Sequence, residues 1–291
     1  MSATCGLLGV SRQLYYRRVQ AENHKRTTAT AVVRMVNDIR LQMPRVGTLK
    51  LYHLLKDRLK TLGVGRDRLF AILRANNLLI VPKKSYHVTT DSHHRFRKHK
   101  NIVQDIVPDR PEQVWVADIT YVGNRTNPMY LSLVTDAYSK KIVGYDVSDT
   151  LETKASLKAL EMAISNRMYK NEPLIHHSDR GIQYCSDDYQ QALNKNTINC
   201  SMTESYDPYA NAVAERVNGV LKQEFIDLNS QMNIRTMKDL VSNSVKIYNG
   251  IRPHYSCFMK TPNKMHLQRE IKIRTYKNKN PVNKCQLDSI N

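Results

Sequence analysis

Residues 114–122, VWVADITYV, are the stretch that decides the fold. Apolar side chains fall on both faces of this segment, which is typical of a strand in the middle of a sheet. Strand-like segments follow at Met129–Asp136 and Lys141–Val147, with turn residues at 123–124 and 137–139 between them. Short connections of this kind join antiparallel neighbours. The sequence therefore predicts a three-stranded antiparallel meander.

Helices and strands alternate after the meander. The pattern predicts helices at Thr153–Tyr169 and Asp187–Leu193, strands at Leu174–His177 and Ile198–Met202, and a last helix within 207–225. A meander followed by alternating helices and strands indicates the α/β class, with a mixed sheet covered by helices on both faces.

The charge balance points to a polyanionic partner. The 291 residues include 45 Lys and Arg against 26 Asp and Glu, a net charge of +19, while 41% hydrophobic and 24% charged residues are typical of a globular chain. Nucleic acid and an anionic membrane surface both fit such a surplus. Since no apolar run is long enough to span a bilayer, nucleic acid is favoured and no membrane partner is expected.

The cysteines exclude two kinds of site. They are scattered and odd in number, and none forms a CxxC pair; they are Cys5, Cys185, Cys200, Cys257 and Cys285. This usage argues against a zinc knuckle and a disulfide framework, and it fits a reducing cytosol.

The first part of the chain is predicted to be helical and basic. A helical segment at 1–43, with Ser11 as a helix cap, precedes a helix-turn-helix pattern at 44–81, whose turn is the Gly-rich stretch 63–65. Arg66 and Arg68 are expected on its exposed side. DNA binding is favoured, and a purely structural helical bundle is the alternative. A basic linker at 82–107 is expected to follow phosphates.

Two aspartates stand in unusual settings. Asp118 lies inside the apolar strand, where an unpaired carboxylate is costly unless a cation or several donors meet it. A structural aspartate paired with an arginine is the alternative. Asp179, in HHSDRGIQYCS, follows a short strand, and the carboxyl ends of parallel strands are where α/β sheets place their sites. Arg180, beside it, is a candidate phosphate contact.

A third acid lies on the helix within DPYANAVAERVNGVLKQEF, residues 207–225. Asn211, Glu215, Asn218 and Lys222 are spaced by four, three and four positions, which places them on one helical face. A solvated polar face is the alternative interpretation. The opposite stripe, expected to pack on the core, is apolar: Ala212, Val213, Val217, Val220 and Leu221.

Three carboxylates brought together repel one another, so such a cluster makes sense only around a hard cation. Oxygen ligands without nearby cysteine or paired histidine favour Mg²⁺ or Mn²⁺ over zinc. Two such ions about 3.5–4 Å apart would serve phosphodiester chemistry. Lys222 is placed to meet a phosphate near them.

The three acids also carry a family resemblance. Asp118 in WVADITYV, Asp179 in HSDRGIQY and Glu215 in NAVAERVNGVLKQEF resemble the DDE signature of retroviral-integrase-type transposases, with 35 residues between the last two acids. Two further segments resemble the insertion-sequence-three family of bacterial transposases, YNGIRPHYSCFMKTPNKMH and MPRVGTLKLYHLLK. DPYAN departs from the Trp-Asp-Asn often found before the Glu-bearing helix.

This resemblance implies a ribonuclease-H-like catalytic core at 108–270, in which Asp118, Asp179 and Glu215 hold two Mg²⁺ or Mn²⁺ ions. It implies a DNA transposase that cuts one strand at each element end and joins the 3′-hydroxyl to target DNA. The 44–81 region would bind the terminal inverted repeats. Further DNA contacts are expected at Lys222, Arg180, Asn211, Asn218 and Arg216.

The resemblance also bears on partners and location. The chain is similar to a downstream-frame product that works with an upstream-frame helix-turn-helix protein or fusion, as a homo-oligomer in the bacterial cytoplasm near the nucleoid. The basic tail at 271–291 would follow the core. Two other functions stay open: a DNA-binding regulator or inactive copy, and a ribonuclease-H-like nuclease without strand transfer.

Overall fold

A computed structural model describes residues 9, 11–81, 99–104, 106–123, 127–203, 212–226 and 232–273. The chain divides into two compact units, Met1–Lys83 and Lys84–Asn291. Several predicted features lie outside the described residues, among them Asn211 with the turn before it, linker residues 82–98 and tail residues 274–291.

The first unit is helical. Its helices are α1 Arg12–Gln42, α2 Thr48–Leu54, α3 Lys56–Thr61 and α4 Arg66–Ala75. Ser11 caps α1 as predicted, because its side chain accepts a hydrogen bond from the Leu14 N–H. The segment before the Gly-rich turn forms two helices, α2 and α3, because the chain leaves helical geometry at Leu55.

The helices of this unit enclose a small apolar core of Val32, Val36, Leu51, Leu59, Leu69 and Leu73. The turn between α3 and α4 contains Gly63 with φ +62°, a left-handed conformation that glycine adopts without strain. Arg66 and Arg68 are exposed on α4 as expected, and Arg66 Nε donates to Asp67 Oδ1 at 2.9 Å.

The second unit is built on one five-stranded sheet in the order β3-β2-β1-β4-β5. Its strands are β1 Val114–Tyr121, β2 Tyr130–Asp136, β3 Ile142–Ser148, β4 Leu174–Ser178 and β5 Ile198–Met202. The first three strands pair antiparallel, and β4 and β5 join β1 in parallel. The predicted mixed sheet is confirmed, and its strand order and pairing fit the ribonuclease-H-like core that the sequence predicts.

Helices cover both faces of the sheet, as predicted. They are α5 Thr153–Ser165, α6 Ile182–Cys185, α7 Asp187–Lys195, α8 Ala212–Glu224, α9 Ile234–Gly250 and α10 Pro262–His266, with a 3₁₀ turn at Tyr255–Cys257. Trp115 and Ala117 of β1 face the core beneath α5, α6 and α7. Val114 and Val116 face the other side, where they pack with Ala214 of α8.

Close approach of α5 to β3 depends on Gly144. A Cβ added there would lie 1.9 Å from the Ala159 carbonyl oxygen, far inside van der Waals contact. Glycine is therefore required at this point of the sheet, because it lets the helix backbone lie directly on the strand.

A buried polar network closes the end of the unit remote from the acids. His266 is 1% exposed; its Nδ1 lies 2.9 Å from Ser139 Oγ and 3.6 Å from Asp136 Oδ1, and its Nε2 lies 3.3 Å from Glu112 Oε1. The carboxyls of Asp136 and Glu112 are buried, and burial alone would raise their pKa values. Hydrogen bonds from His266 and from backbone N–H groups outweigh burial, so both pKa values lie below the usual range. The network joins α10 to β2.

Helix α8 buries Val217, Val220 and Leu221 as predicted and differs from its prediction at the start. Ala212 is exposed and Ala214 takes its place in the core beside Val217, Val220 and Leu221. The prediction of Ala212 as a core residue is wrong, because two helical residues turn about 200° and Ala212 therefore faces away from the side on which Ala214 packs. In the described part of the chain, no helix is long and apolar enough to cross a membrane.

Candidate active site

Asp118 lies half-buried in the middle of β1, on the face that α8 covers. Its Oδ2 accepts a hydrogen bond from the Asn218 side-chain amide at 2.7 Å. The carboxyl therefore points away from the apolar core of the other face and towards α8, with one oxygen fixed in direction.

Asp179 comes directly after β4, the neighbour of β1. These strands are parallel with Val116 opposite His177, and continuing that register by two residues sets Asp118 opposite Asp179. Neighbouring strands are about 4.8 Å apart, and residues paired in parallel strands share a face. The two carboxyls are therefore adjacent at this edge of the sheet, as the sequence predicts.

The turn after Asp179 supports its carboxylate. The Gly181 N–H donates to Asp179 Oδ1 at 3.0 Å. A Cβ on Gly181 would lie 3.1 Å from both that oxygen and Gln183 Oε1, tighter than ordinary contact. The absence of a side chain at Gly181 lets the backbone bend closely around the acid.

The pKa of Asp118 responds to both of the other acids. Burial raises the pKa of Asp118 to about 7, and the charges of Asp179 and Glu215 act in the same direction, against the Asn218 hydrogen bond. A carboxyl beside two like charges resists ionisation. The pKa of Asp118 thus reports a concentration of negative charge that an added cation would relieve.

Helix α8 lies along β1 through two polar contacts. Asn218 donates to Asp118, and four residues later Lys222 Nζ donates to Thr120 Oγ1 at 3.3 Å. Four helical residues rise about 6 Å and two strand residues about 6.7 Å, so the two contacts are separated by nearly the same distance along the helix and along the strand. The helix and the strand run in the same direction here.

Glu215 lies almost one turn before Asn218 on α8 and is exposed. Partial desolvation raises its pKa. Burial lowers the pKa of half-buried Lys222, and the charge of Asp118 opposes that shift. The face thus carries one acid at the rim, one amide on Asp118, and one ammonium group beyond it.

The donor set fits a hard divalent cation, because it consists of three carboxyls with no cysteine or histidine among them. Within the described ranges, no group of three His, Cys, Asp or Glu side chains already surrounds a common point at ligand distance. Glu215 is the exposed member of the set.

The other predicted site residues fall in different places. Arg180 is half-buried beside Asp179, and Arg216 is exposed on α8. Arg66 and Arg68 belong to the first unit, and Asn211 lies outside the described residues. Asn218, which the sequence predicts as a DNA contact, is 3% exposed in the structure and donates a hydrogen bond to Asp118.

Tyr184 is a neighbour of the acids that the sequence analysis missed. It is 2% exposed, and its hydroxyl has no hydrogen-bond partner within the described part of the chain. Burial raises the pKa of the Tyr184 hydroxyl, and the negative charge of Asp179 raises it further. Its position five residues after Asp179, in the same short motif, was the available signal.

Comparison with known proteins agrees with this geometry. Residues 108–208 and 196–262 match two family models, both described as integrase core domain. The insertion element IS600 uncharacterized 31 kDa protein of Shigella sonnei is 34% identical over 225 residues, which cover 76% of this chain and 81% of the relative.

Two transposases are similar over long stretches. The transposase for insertion sequence element IS629 of Shigella sonnei is 29% identical over 257 residues, covering 85% of each chain. Transposase InsF for insertion sequence IS3A of Escherichia coli K12 is 30% identical over 189 residues, covering 64% of this chain and 65% of InsF.

Proposed function

The chain belongs to the insertion-sequence transposases of the IS3 type, and on that basis we propose that Asp118, Asp179 and Glu215 form its catalytic metal site. The protein is a DNA transposase and a polynucleotidyl transferase with an integrase core. The observation that carries the site assignment is the parallel register that sets Asp118 opposite Asp179, together with the Asn218 hydrogen bond that places α8 beside them.

The metal in this proposal is Mg²⁺ or Mn²⁺, as two ions. Divalent cations held by carboxylates stabilise the attacking and leaving oxygens of a phosphodiester. Asn218 holds Asp118 in a fixed direction and leaves its second oxygen available as a ligand. Lys222 lies one helical turn after Asn218, and its ammonium group would donate to a phosphate oxygen of bound DNA.

The reaction has two steps at the same site. Water attacks a phosphorus at each element end, the bond to the 3′-oxygen breaks, and that oxygen leaves as a hydroxyl. The new 3′-hydroxyl then attacks a phosphorus of target DNA and displaces the target's own 3′-oxygen. Charge-neutralising ligands around the phosphorus serve both displacements, which accounts for one site performing cleavage and joining.

DNA recognition is assigned to several basic residues. Arg66 and Arg68 project from α4 of the first unit, the position of a recognition helix in a helix-turn-helix, and would bind the terminal inverted repeats. Arg180 and Arg216 would contact DNA beside the acids. Two ends must be held together for joining, which favours a homo-oligomer, with an upstream-frame protein as a further partner in the bacterial cytoplasm.

A cleavage and joining assay tests the site. Asp118→Asn, Asp179→Asn and Glu215→Gln should each abolish Mg²⁺-dependent nicking and joining of DNA that carries the element's ends, while DNA retention persists. Glu161→Gln, an exposed glutamate on α5, is the matched control and should keep activity. Full activity in any of the three acid variants contradicts the assignment.

The same assay separates the alternatives. Nicked product without joined product indicates a nuclease without strand transfer. Bound DNA without nicking in the unaltered protein indicates a regulator or an inactive copy.

A further inference from the structure

The helix that carries Glu215 is fastened at its far end by an ion pair. Arg252 Nε and Nη2 donate to the two oxygens of Glu224 at 2.7 Å each. The Arg252 side chain is 3% exposed and the Glu224 side chain 14% exposed. Two parallel charge-assisted hydrogen bonds fix direction as well as distance.

Both partners are held by the surrounding structure. Glu224 is the last residue of α8, and Arg252 follows α9, where its N–H donates to the Ile247 carbonyl at 3.0 Å. The Arg252 guanidinium also lies 5.5 Å from the ring centre of Tyr248, a fully buried residue. Arg252 is therefore held in place by contacts other than the one to Glu224.

The segment before Arg252 is bonded to the sheet. Asn249 accepts from the Ile142 N–H at 3.0 Å and donates to the Ile142 carbonyl at 2.9 Å, so its amide pairs with edge strand β3 as a strand would. Residues 248–252 thus connect the edge of the sheet to the end of α8. Any error in the position of Arg252 would be transmitted to that helix.

The orientation of α8 matters because Glu215 lies nine residues before Glu224, about 13.5 Å along the same helix. Asn218 and Lys222 hold one side of the helix to β1. These contacts and the buried apolar residues restrain the middle of the helix, from Ala214 to Lys222. The Arg252 pair adds a restraint at the end of the helix, where Glu224 lies.

We propose that Arg252 is a positioning residue for the metal site, which acts through Glu224 to set the position of α8 and so brings Glu215 towards Asp118 and Asp179. This inference rests on the proposed function, since it assumes that Glu215 is a ligand. Arg252 touches neither DNA nor the acids in this role.

The chain contains a matched control. Arg269 donates to Glu172 at 2.5 Å and lies 4.4 Å from the ring centre of Tyr169, so it repeats the arginine, glutamate and tyrosine arrangement. Its three members lie outside α8 and the strands that carry the acids. Arg269→Gln removes an ion pair of the same residue types, more exposed than the Arg252 pair, without touching the helix of Glu215.

The test measures Mn²⁺ binding to the full chain, by electron paramagnetic resonance of free Mn²⁺, below the thermal midpoint of every variant. Arg252→Gln and Glu224→Gln should each weaken Mn²⁺ binding about 10-fold, the usual effect of losing support for a ligand. Arg252→Lys keeps the charge but loses the double hydrogen bond, and should fall between. The double variant should bind as weakly as either single one.

Wild-type Mn²⁺ affinity in Arg252→Gln or Glu224→Gln overturns the inference, as does an equal loss in Arg269→Gln. Additive losses in the double variant also contradict it, because they would show that Arg252 acts other than through Glu224. Glu215→Gln is measured alongside. If it binds Mn²⁺ and cleaves DNA as the unaltered protein does, the proposed function fails; if it is defective while Arg252→Gln is normal, only the positioning inference fails.

Discussion

The pKa of Asp118 predicts how the affinity of the protein for a divalent cation depends on pH. Burial, then the charge of Asp179, raises that pKa to about 7, so the carboxyl must lose a proton before it can act as a ligand. Below pH 7, cation and proton compete for the same oxygens, and above it they do not. Affinity should therefore rise with pH and then level off.

The size of the effect follows from the fraction ionised. With a pKa of about 7, about a tenth of Asp118 is ionised at pH 6 and about nine tenths at pH 8. The apparent dissociation constant for Mn²⁺ should then be about 10-fold weaker at pH 6 than at pH 8. An aspartate with an ordinary pKa near 3.9 would give almost no change over this range.

Removing Asn218 gives this prediction a direction. Its hydrogen bond lowers the pKa of Asp118, so Asn218→Ala should raise that pKa further and move the Mn²⁺ binding curve to higher pH. Asn263→Ala, an exposed asparagine on α10, should leave the curve in place. Titration of free Mn²⁺ without DNA at pH 6, 7 and 8 measures both. Equal affinity at pH 6 and pH 8 would refute the reasoning.

Three further predictions concern the rest of the molecule. His266 has a raised pKa in the fold because its hydrogen bonds to Asp136 and Glu112 outweigh burial; its contribution to stability is therefore present below its unfolded pKa of about 6.5 and lost as the pH rises through the folded value. His266→Gln should lower the unfolding free energy by about 3 kcal/mol at pH 6 and flatten its decline towards pH 9, measured by urea unfolding; an unchanged decline contradicts this. Gly144→Ala should cost about 3 kcal/mol or more, because its Cβ meets the Ala159 backbone, and a wild-type melting temperature would exclude that close approach. Replacing Arg66 and Arg68 by alanine should weaken end-DNA binding and reduce the slope of log affinity against log salt by about 2, whereas an unchanged slope places the phosphate contacts elsewhere.

The sequence was sufficient for the two aspartates because their settings are local. An acid inside an apolar strand and an acid at the end of the next buried strand need only the parallel register to become neighbours, and Val116 opposite His177 supplies it. The spacing of polar residues on α8 is equally local. These are properties of strand and helix periodicity, which short stretches of sequence determine.

Other parts of the second unit needed more than local patterns, or a closer use of them. Helix α9 is absent from the sequence predictions although Asn233 caps it and buried residues recur at helical spacing, Met237, Val241, Val245 and Tyr248. That signal was readable. Helix α6 has four residues, too few for any periodicity. The pairing of Arg252 with Glu224 joins residues 28 positions apart, and no pattern in either segment announces it.

The polar face of α8 shows where sequence reasoning stops. Periodicity places Glu215, Asn218 and Lys222 on one side of the helix, but it does not show which of them contacts solvent, DNA or a metal. The sheet separates them. Because α8 runs along β1 in step, Asn218 meets Asp118 and becomes buried, Lys222 meets Thr120 and stays half-exposed, and Glu215 reaches past the contact to the rim. The contacts of Glu215, Asn218 and Lys222 therefore depend on how deeply each residue lies against β1. The spacing of four, three and four positions does not determine that depth.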